Sequence, residues 1–360
     1  ALALMDSNDI PHPPVEVVFT VDEELGMDGA EAIDLSVLKG KKLINIDSEE
    51  ERTLTVGCAG GVRYQSLIPV EKETVSGEKI EIQIKGLLGG HSGEEIHRQR
   101  GNANKMMGRL LYHMESEAEI YLSEIYGGSK DNVIAMEAVA SIVVAENDAE
   151  KIVSMIRDME AIWNTEFMGE EPGLTVNVQT TKETDIEVLS KDTTKRVVGF
   201  LAACPNGLLE YSRKVAGAAE TSLNLGTVEM KENGVEAAFL IRSSVDSRKQ
   251  QILEQVDAVT KAFGGTGTIS STYPAWQYNP DSQLRTIMEA AYKEVYKKDP
   301  EICIIHGGLE CGLFLGKRPD LDCVSCGPDV LDIHSFNERL DIASTQRSWE
   351  FLKLVLKNCK

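Results

Sequence analysis

The sequence has 360 residues, 42% of them hydrophobic, and its 37 basic and 58 acidic side chains give a formal net charge of −21. A chain of this length supports about two domains with a sizeable core, which excludes a disordered tail or a disulfide-stapled miniprotein. The strong negative charge disfavours binding to nucleic acid and to anionic membrane surfaces.

The cysteines and the apolar runs point to a compartment. Seven cysteines with no disulfide-framework spacing are typical of a protein kept in the reducing cytoplasm. No apolar run approaches the ~20 residues that a membrane span needs, and the opening ALALM is too short for a signal-peptide core. We therefore expect a soluble cytoplasmic protein.

The first 70 residues predict an α/β segment. Residues 15–21 (VEVVFTV) form a nearly continuous apolar run, the pattern of a strand covered on both faces. Residues 29–38 are weakly helical, and residues 43–46 (LINI) predict a second buried strand. The sequence begins at Ala1 rather than Met, inside an element that leads directly into the first of these strands.

From residue 79 the pattern changes to strands with one solvated face. Strands at 80–85, 119–125, 138–144 and 174–180 and helices at 95–114 and 148–167 follow one another in the order β-α-β-β-α-β, the split βαβ arrangement. A second pass, over residues 185–273, has the same order with one strand fewer. These passes predict an α+β domain of ferredoxin-like repeats.

After Pro274 the α/β pattern returns. Helices near 282–297 and 344–356 flank short buried strands at 302–305 and 321–326. The simplest architecture is therefore a parallel or mixed sheet domain built from residues 1–70 and 271–360, with the α+β domain inserted as residues 71–270.

Charged residues follow the predicted buried strands, where ligands bind in parallel α/β sheets. Glu23 and Glu24 follow the first strand, Asp47 the second, and His306 the third, while His334 comes shortly after the fourth. Carboxylates and imidazoles without paired cysteines suit a catalytic zinc or manganese site better than a structural zinc site.

The adjacent pair Glu23 and Glu24 has a specific chemical use. On an extended chain neighbouring side chains project to opposite sides, so one carboxylate could bind a metal while the other accepts a proton from the metal-activated water. The competing interpretation is two solvated acids at a strand end, and spacing alone favours it. A lone histidine such as His306 or His334 is likewise more often a hydrogen-bonded loop or core residue.

Longer strings carry a resemblance. The sequence resembles the aminoacyl-histidine dipeptidases, also called Xaa-His or cytosolic non-specific dipeptidases, of the di-zinc metallopeptidase superfamily. The strings that match run through the whole chain in order: TVDEELGMDGA, INIDSEEE, GCAGG, KGLLGGHSGEEIH, GNANK, ETSLNLG, LIRSSVDS, YPAWQ and IIHGGLECGLF.

This resemblance implies a role for each matching residue at the metal centre. Glu23 matches the general base, Glu24 and His334 the ligands of one zinc, and Asp47 a ligand of the other. His91 matches a histidine of the inserted domain, which would then be a lid, and it would donate to the oxyanion of the scissile carbonyl.

The same resemblance implies the substrate contacts. Arg242 and Asn224 would lie near the substrate's free carboxylate, and His306 is placed with them as a substrate-binding residue. Because a guanidinium group binds a free C-terminal carboxylate in a fork, such a site favours dipeptides over long chains.

Two departures from the family bear on activity. Its upstream metal-ligand strings, an HxD and an ADNG, are absent from this sequence, so one zinc would keep two of its three protein ligands and the other only Asp47. Phe336 also stands in the His334 loop where the family usually has proline.

The sequence therefore predicts a cytoplasmic metallo-dipeptidase that uses zinc, with manganese or cobalt as substitutes, acts on small dipeptides such as Xaa-His, and forms a homodimer. Two alternatives stay open. One is an inactive family member or fragment that serves as a binding or scaffold protein, and the other is an N-acyl amino acid deacylase.

Overall fold

A computed structural model describes residues 1–359, with every side chain among them except that of Leu25. The strands form a four-stranded sheet, a nine-stranded sheet and a small hairpin. Among the described residues no helix is both long enough and apolar enough to cross a lipid bilayer.

The helices, in chain order, are α1 (Leu2–Met5), α2 (Glu23–Gly26), α3 (Asp28–Ala32), α4 (Ala103–Glu115), α5 (Glu146–Glu166), α6 (Lys191–Ala203), α7 (Asp246–Ala262), α8 (Gln283–Tyr296), α9 (Glu310–Lys317) and α10 (Ile342–Asn358). Short 3₁₀ turns lie at Leu35–Val37 and Ile96–Arg98.

The strands are β1 (Lys42–Asn45), β2 (Thr53–Cys58), β3 (Gly60–Pro69), β4 (Lys72–Lys85), β5 (Ile120–Gly127), β6 (Ala138–Val144), β7 (Thr175–Leu189), β8 (Gly207–Tyr211), β9 (Ala219–Met230), β10 (Gly234–Ser243), β11 (Thr266–Tyr273), β12 (Glu301–Ile305), β13 (Asp322–Ser325), β14 (Val330–Leu331) and β15 (Arg339–Leu340).

The nine-stranded sheet is two copies of one arrangement. Its order is β11-β3-β10-β9-β5-β6-β4-β7, with β8 paired to β9. The first unit (β4, α4, β5, β6, α5, β7) orders its strands β7-β4-β6-β5. The second unit (β3, α6, β9, β10, α7, β11) orders them β11-β3-β10-β9, which is the same order. The strand missing from the second sequence pass is β3, so the first unit is inserted in the chain between β3 and α6.

This finding concerns the predicted domain boundary. Strand β3 precedes residue 71, yet it pairs with β10 over its whole length and with β11 over residues 61–67. The assignment of residues 1–70 with 271–360 and of residues 71–270 to separate domains stays a prediction.

The core of the nine-stranded sheet lies under its helices. Alternation in β4 buries Ile80, Ile82 and Ile84 completely, as the sequence pattern predicts. The apolar stripe of α4, the methionines included, packs into the same cluster, and the rings of Phe200 and Phe239 meet edge-on at 6.2 Å. Each such buried side chain contributes about 1.5–3 kcal/mol.

Within the sheet the two units meet at a narrow seam. Strands β5 and β9 pair only through Tyr126 with Glu229 and Gly127 with Val228. The GNANK segment reinforces the seam: Asn102 Nδ2 donates to Leu225 O at 3.0 Å, Asn104 Nδ2 donates to Gly226 O at 3.2 Å, and Lys105 Nζ donates to carbonyls at the end of α6.

The four-stranded sheet has the order β1-β13-β2-β12 and is mixed. Strands β1 and β13 are parallel, β2 and β12 are parallel, and the two pairs run in opposite directions. Helices α8 and α10 cover one face, with Leu54 and Val324 in the cluster, and α9 covers the other face, with Cys58 and Cys323.

Residues 15–21 do not form the predicted buried strand. No described strand pairs with them, and Phe19 and Val21 are 78% and 66% exposed. The segment is held instead by Glu16, whose carboxylate accepts from the Lys39 and Gly40 amides at 2.8 Å, and by Val21 O, which accepts from Gly29 N. A strand needs hydrogen-bonded neighbours as well as apolar side chains, and the apolar pattern reports only the side chains.

Candidate active site

Two strand ends of the four-stranded sheet meet, and the third lies elsewhere. Because β1 and β13 are parallel, their carboxyl ends lie at the same end of the sheet. Asp47 and the loop that carries His334 therefore leave the sheet at that end. Strand β12 runs antiparallel to β1 and β13, so His306, which follows it, lies at the opposite end of the sheet. The negative charge of Glu310, at the start of α9, nevertheless helps to raise the pKa of the Asp47 carboxylate. Of the strands that the sequence predicted for this sheet, only β1 and β13 therefore run in the same direction.

Glu23 and Glu24 lie on a helical turn rather than on an extended chain. Asp22 has φ 55°, a left-handed conformation that turns the chain into α2. Successive side chains on a helix diverge by about 100°. Glu23 is therefore half-buried while Glu24 points outward into solvent, so the two carboxylates do have different surroundings.

His334 and Glu24 are in direct contact. The Nε2 atom of His334 lies 2.9 Å from Oε2 of Glu24, and the backbone N–H of His334 donates to Glu338 Oε2 at 3.1 Å. His334 and Asp332 both have left-handed φ angles, 57° and 55°, in the loop between β14 and β15. The structure thus joins residues that are distant in the chain into a carboxylate–imidazole pair.

The neighbouring carboxylates crowd one another. Although Asp47 is exposed by surface area, the protein atoms around its carboxylate displace water and raise its pKa to about 6, and the charges of Glu310 and Glu49 add to this. Burial likewise raises the pKa of Glu23, helped by the charges of Asp47 and Glu24. This excess of negative charge is the electrostatic setting that a divalent cation neutralises.

The donors fit a metal in chemistry more than in number. Carboxylate and imidazole are the ligands of catalytic zinc, and Glu24 with His334 supplies one of each. Within residues 1–359, however, no three His, Cys, Asp or Glu side chains come together as a metal-binding group. The structure therefore brings together a two-donor pair with Asp47 nearby.

His91 belongs to the first unit of the nine-stranded sheet. Its ring is half-buried, and burial followed by the charge of Arg242 lowers its pKa, which favours the neutral imidazole. Gly93 lies close to His91, Arg242 and His306. A Cβ on Gly93 would lie 2.8 Å from His306 O, 3.1 Å from His91 Cε1 and 3.3 Å from Arg242 Cζ. Only glycine leaves room for this approach.

Arg242 and His306 are buried beside each other with unused hydrogen-bonding atoms. Arg242 Nη1 donates to the Tyr273 hydroxyl at 2.9 Å, and His306 Nε2 lies 2.7 Å from Ser222 Oγ. Arg242 Nε and His306 Nδ1 have no partner among the described atoms. Burial, with the charge of Arg242, lowers the pKa of His306 to about 3, so its ring is neutral.

Asn224 is fully engaged inside the protein. Its Nδ2 donates to Asp131 O at 2.8 Å and to Val133 O at 2.9 Å, and its Oδ1 accepts from Asn102. The amide hydrogens thus hold a loop, and the predicted contact with a substrate carboxylate stays a prediction.

Sequence reasoning singled out eight residues and passed over others. The structure groups Glu23, Glu24, Asp47 and His334 at one place, and it groups His91, Arg242 and His306 at another. Ser222 and Tyr273 were passed over, although they lie in the strings ETSLNLG and YPAWQ. Nothing in their spacing marks them, because their contacts join separate strands.

Known proteins resemble the chain over nearly its whole length. It is 36% identical over 359 residues to the cytosol non-specific dipeptidase of Escherichia coli (strain K12), which covers 99% of this chain and 74% of that protein. The crystal structure of aminoacylhistidine dipeptidase from Vibrio alginolyticus has a TM-score of 0.91 at 35% identity, over 99% of this chain and 73% of that one. Residues 82–171 match the family described as the peptidase dimerisation domain.

Proposed function

The chain belongs to the family of cytosol non-specific, or aminoacyl-histidine, dipeptidases, and from that premise we propose that it hydrolyses dipeptides, Xaa-His among them, in a metal-dependent reaction. The observation that carries the proposal is the 2.9 Å contact of Glu24 with His334 beside the half-buried Glu23.

Glu24 and His334 would hold one divalent ion, and Asp47 would be a ligand of a second. Zinc suits the mixed carboxylate and imidazole donors, with manganese or cobalt as substitutes. Such an ion supplies Lewis acidity, which lowers the pKa of water and polarises a carbonyl group.

Glu23 is the proposed general base. Its carboxylate is next to the Glu24–His334 pair in the chain and takes no part in that contact. It accepts a proton from the attacking water and delivers it to the departing amine, so one carboxylate serves both halves of the reaction.

The nine-stranded sheet supplies the substrate contacts in this proposal. His91 donates a hydrogen bond to the oxygen that becomes negative as the carbonyl is attacked. Arg242, with its unpartnered Nε, binds the C-terminal carboxylate of the dipeptide, and Asn224 and His306 line the same region. In this proposal, proton transfer occurs beside the four-stranded sheet, at Glu23, and charge stabilisation occurs at the nine-stranded sheet.

We also propose a cytoplasmic homodimer. The relative from Escherichia coli is named a cytosol dipeptidase, and residues 82–171 match the peptidase dimerisation domain. Light scattering of the purified chain measures the dimer directly.

The experiment that tests the function compares the wild type with Glu23→Gln, using alanyl-histidine and β-alanyl-histidine with added zinc or manganese. We expect Glu23→Gln to lower turnover by a factor of about 10²–10⁴ while zinc binding, measured by calorimetry, is unchanged. Glu31→Gln, on the exposed surface of α3, is the matched control. Equal turnover in Glu23→Gln, or a folded, zinc-loaded wild type without turnover, contradicts the proposal.

A second candidate, a binding or scaffold role without catalysis, is favoured by one observation. Within the described part of the chain the donors reach a pair rather than a set of three. Under this alternative the folded protein would bind zinc no more tightly than the variant His334→Ala does.

A further inference from the structure

His91 lies on a loop that a second loop holds by strand-like pairing. The His91 loop (residues 89–93) and the clamp loop (residues 128–134) form an antiparallel bridge between His91 and Val133. Ser92 N donates to Asn132 O, and Ile134 N donates to Gly90 O, both at 2.9 Å. The placement of His91 therefore depends on the placement of the clamp loop.

The clamp loop is anchored outside its own unit. It follows β5 of the first unit, but Asn224 on β9 of the second unit donates to Asp131 O and Val133 O. Arg63 on β3, also in the second unit, donates from Nη1 to both carboxylate oxygens of Asp131, at 2.7 and 2.5 Å. Two separate contacts thus tie the clamp loop to the second unit.

The anchors leave the clamp loop little freedom to shift. At Gly226 a Cβ would lie 2.4 Å from Asp131 Cα and 2.6 Å from Lys130 O, so the loop rests directly on the backbone of β9. Asn102 donates to Asn224 Oδ1 at 3.2 Å, which fixes the orientation of the Asn224 amide toward the loop. The Asp131 carboxylate is 16% exposed, so water screens its ion pair only in part.

We propose that Arg63 and Asp131 are positioning residues for His91, which they hold in register with Arg242 across the seam between the two units. The inference rests on the proposed function, in which His91 and Arg242 grip one substrate. These two residues come from different units, and the seam between the units has only two paired residues on each strand. Asn102, Asn104 and Lys105 join the units elsewhere along the seam. The clamp loop adds a connection at the His91 loop itself.

Local contacts within the first unit do not supply this register. His91 N donates to Glu95 Oε2 at 3.0 Å, and Arg100 Nη1 donates to Gly89 O at 2.6 Å. All of these groups belong to residues 89–100 of the first unit, so these contacts fix the shape of the His91 loop without joining it to the second unit. A small displacement of a catalytic group is costly, because reaction requires close alignment of the reacting atoms.

Hydrogen exchange tests the physical part of the proposal without any need for turnover. In Arg63→Met, we expect the amides of Ser92 and Ile134 to exchange about tenfold faster than in the wild type, because the clamp loop opens more often. The matched control is Arg109→Met, which breaks the Arg109–Glu166 ion pair elsewhere in the first unit. The control should leave both amides unchanged.

Kinetics tests the part that passes through His91. We expect Arg63→Met to lower kcat for alanyl-histidine about tenfold with KM changed less than about twofold, and Arg63→Lys to restore part of the loss. In the His91→Ala background the same Arg63→Met change should have no further effect on kcat. A general structural defect would lower kcat by the same factor in both backgrounds.

The outcomes separate this inference from the proposed function. Unchanged exchange in Arg63→Met, or equal acceleration in Arg109→Met, overturns the positioning role. So does a loss of kcat that persists in the His91→Ala background. A wild type without turnover, or a His91→Ala variant with full turnover, counts against the proposed function instead, and the exchange result then decides whether the clamp exists.

Discussion

The two sheets of this molecule hold their candidate site residues in opposite ways. On the nine-stranded sheet, Asn224 and Arg242 are 1% and 6% exposed and each donates to fixed partners. At the four-stranded sheet, the side chains of Glu24 and His334 are 70% and 63% exposed and mainly contact each other. Packing fixes the side chains of Asn224 and Arg242, whereas those of Glu24 and His334 are held mainly by their contact with each other.

This difference shows where the fold holds its site rigidly and where it does not. The chain around Glu24 and His334 has left-handed φ angles at several non-glycine residues, a costly conformation that few surrounding contacts enforce. Regions with few buried apolar contacts lie at the low end of local stability. Packing therefore orders the region around Glu24 and His334 less firmly than the region around Asn224 and Arg242.

The largest expected effect comes from comparing a buried ring of the second unit with the exposed ring of Phe19. Phe239→Ala should lower the free energy of unfolding by about 3–5 kcal/mol, because Phe239 is fully buried under the second unit. Phe19→Ala should change it by less than about 0.5 kcal/mol, because that ring is 78% exposed. Urea unfolding of both variants measures the contrast. A cost for Phe19→Ala similar to that of Phe239→Ala would show that residues 15–21 are packed in solution.

An intermediate effect concerns His306, which lies between the two sheets. Its folded pKa of about 3 is below the ordinary value of 6.5, so the unfolded state binds more protons between these pH values. This contribution to stability is complete above pH 6.5 and is lost toward pH 3, by up to about 1.4 kcal/mol per pH unit.

The variant His306→Gln, which can still hydrogen-bond Ser222, should flatten this part of the acid unfolding curve. His113→Gln, at an exposed position of α4, is the control and should leave the slope as it is in the wild type. Identical slopes in the wild type and in His306→Gln would mean that the buried ring is protonated without cost, contrary to its surroundings.

The smallest expected effect is a loss of stability that should be similar at the large sheet and at the small one. Ser190 caps α6 on the large sheet and Asp341 caps α10 on the small one, each by accepting from a backbone N–H of the first turn. Ser190→Ala and Asp341→Ala should each cost about 1 kcal/mol in thermal or urea unfolding. If only the cap on the small sheet proved dispensable, the contrast between the sheets would extend to their helices.

The sequence predicted most elements because their patterns are local. The helix predicted at 282–297 is observed as Gln283–Tyr296, since its apolar stripe and the Ser282 cap both lie within the segment. The helix predicted from residue 95 begins instead at Ala103, because the Asn102 side chain caps it there. The pattern of residues 15–21 misled because it carries no information about neighbours.

The residues of the candidate site also differ in whether local sequence patterns could predict their contacts. Spacing could not join Glu24 to His334, and only the resemblance to the dipeptidases proposed them as partners. The contact of Ser222 with His306 was beyond reach, since it depends on how two sheets pack. Long-range contacts of this kind arise from the packed fold and leave no local signature in the chain.

The placement of the first unit inside the second has a consequence for synthesis. As the chain leaves the ribosome, β3 emerges before β4 but must stay unpaired until β10 and β11 have also been made. The first unit, whose strands pair among themselves, can close in the meantime. Strand β3 thus stays unpaired during translation. Because its partners lie far along the chain, we expect the second unit to fold more slowly than the first.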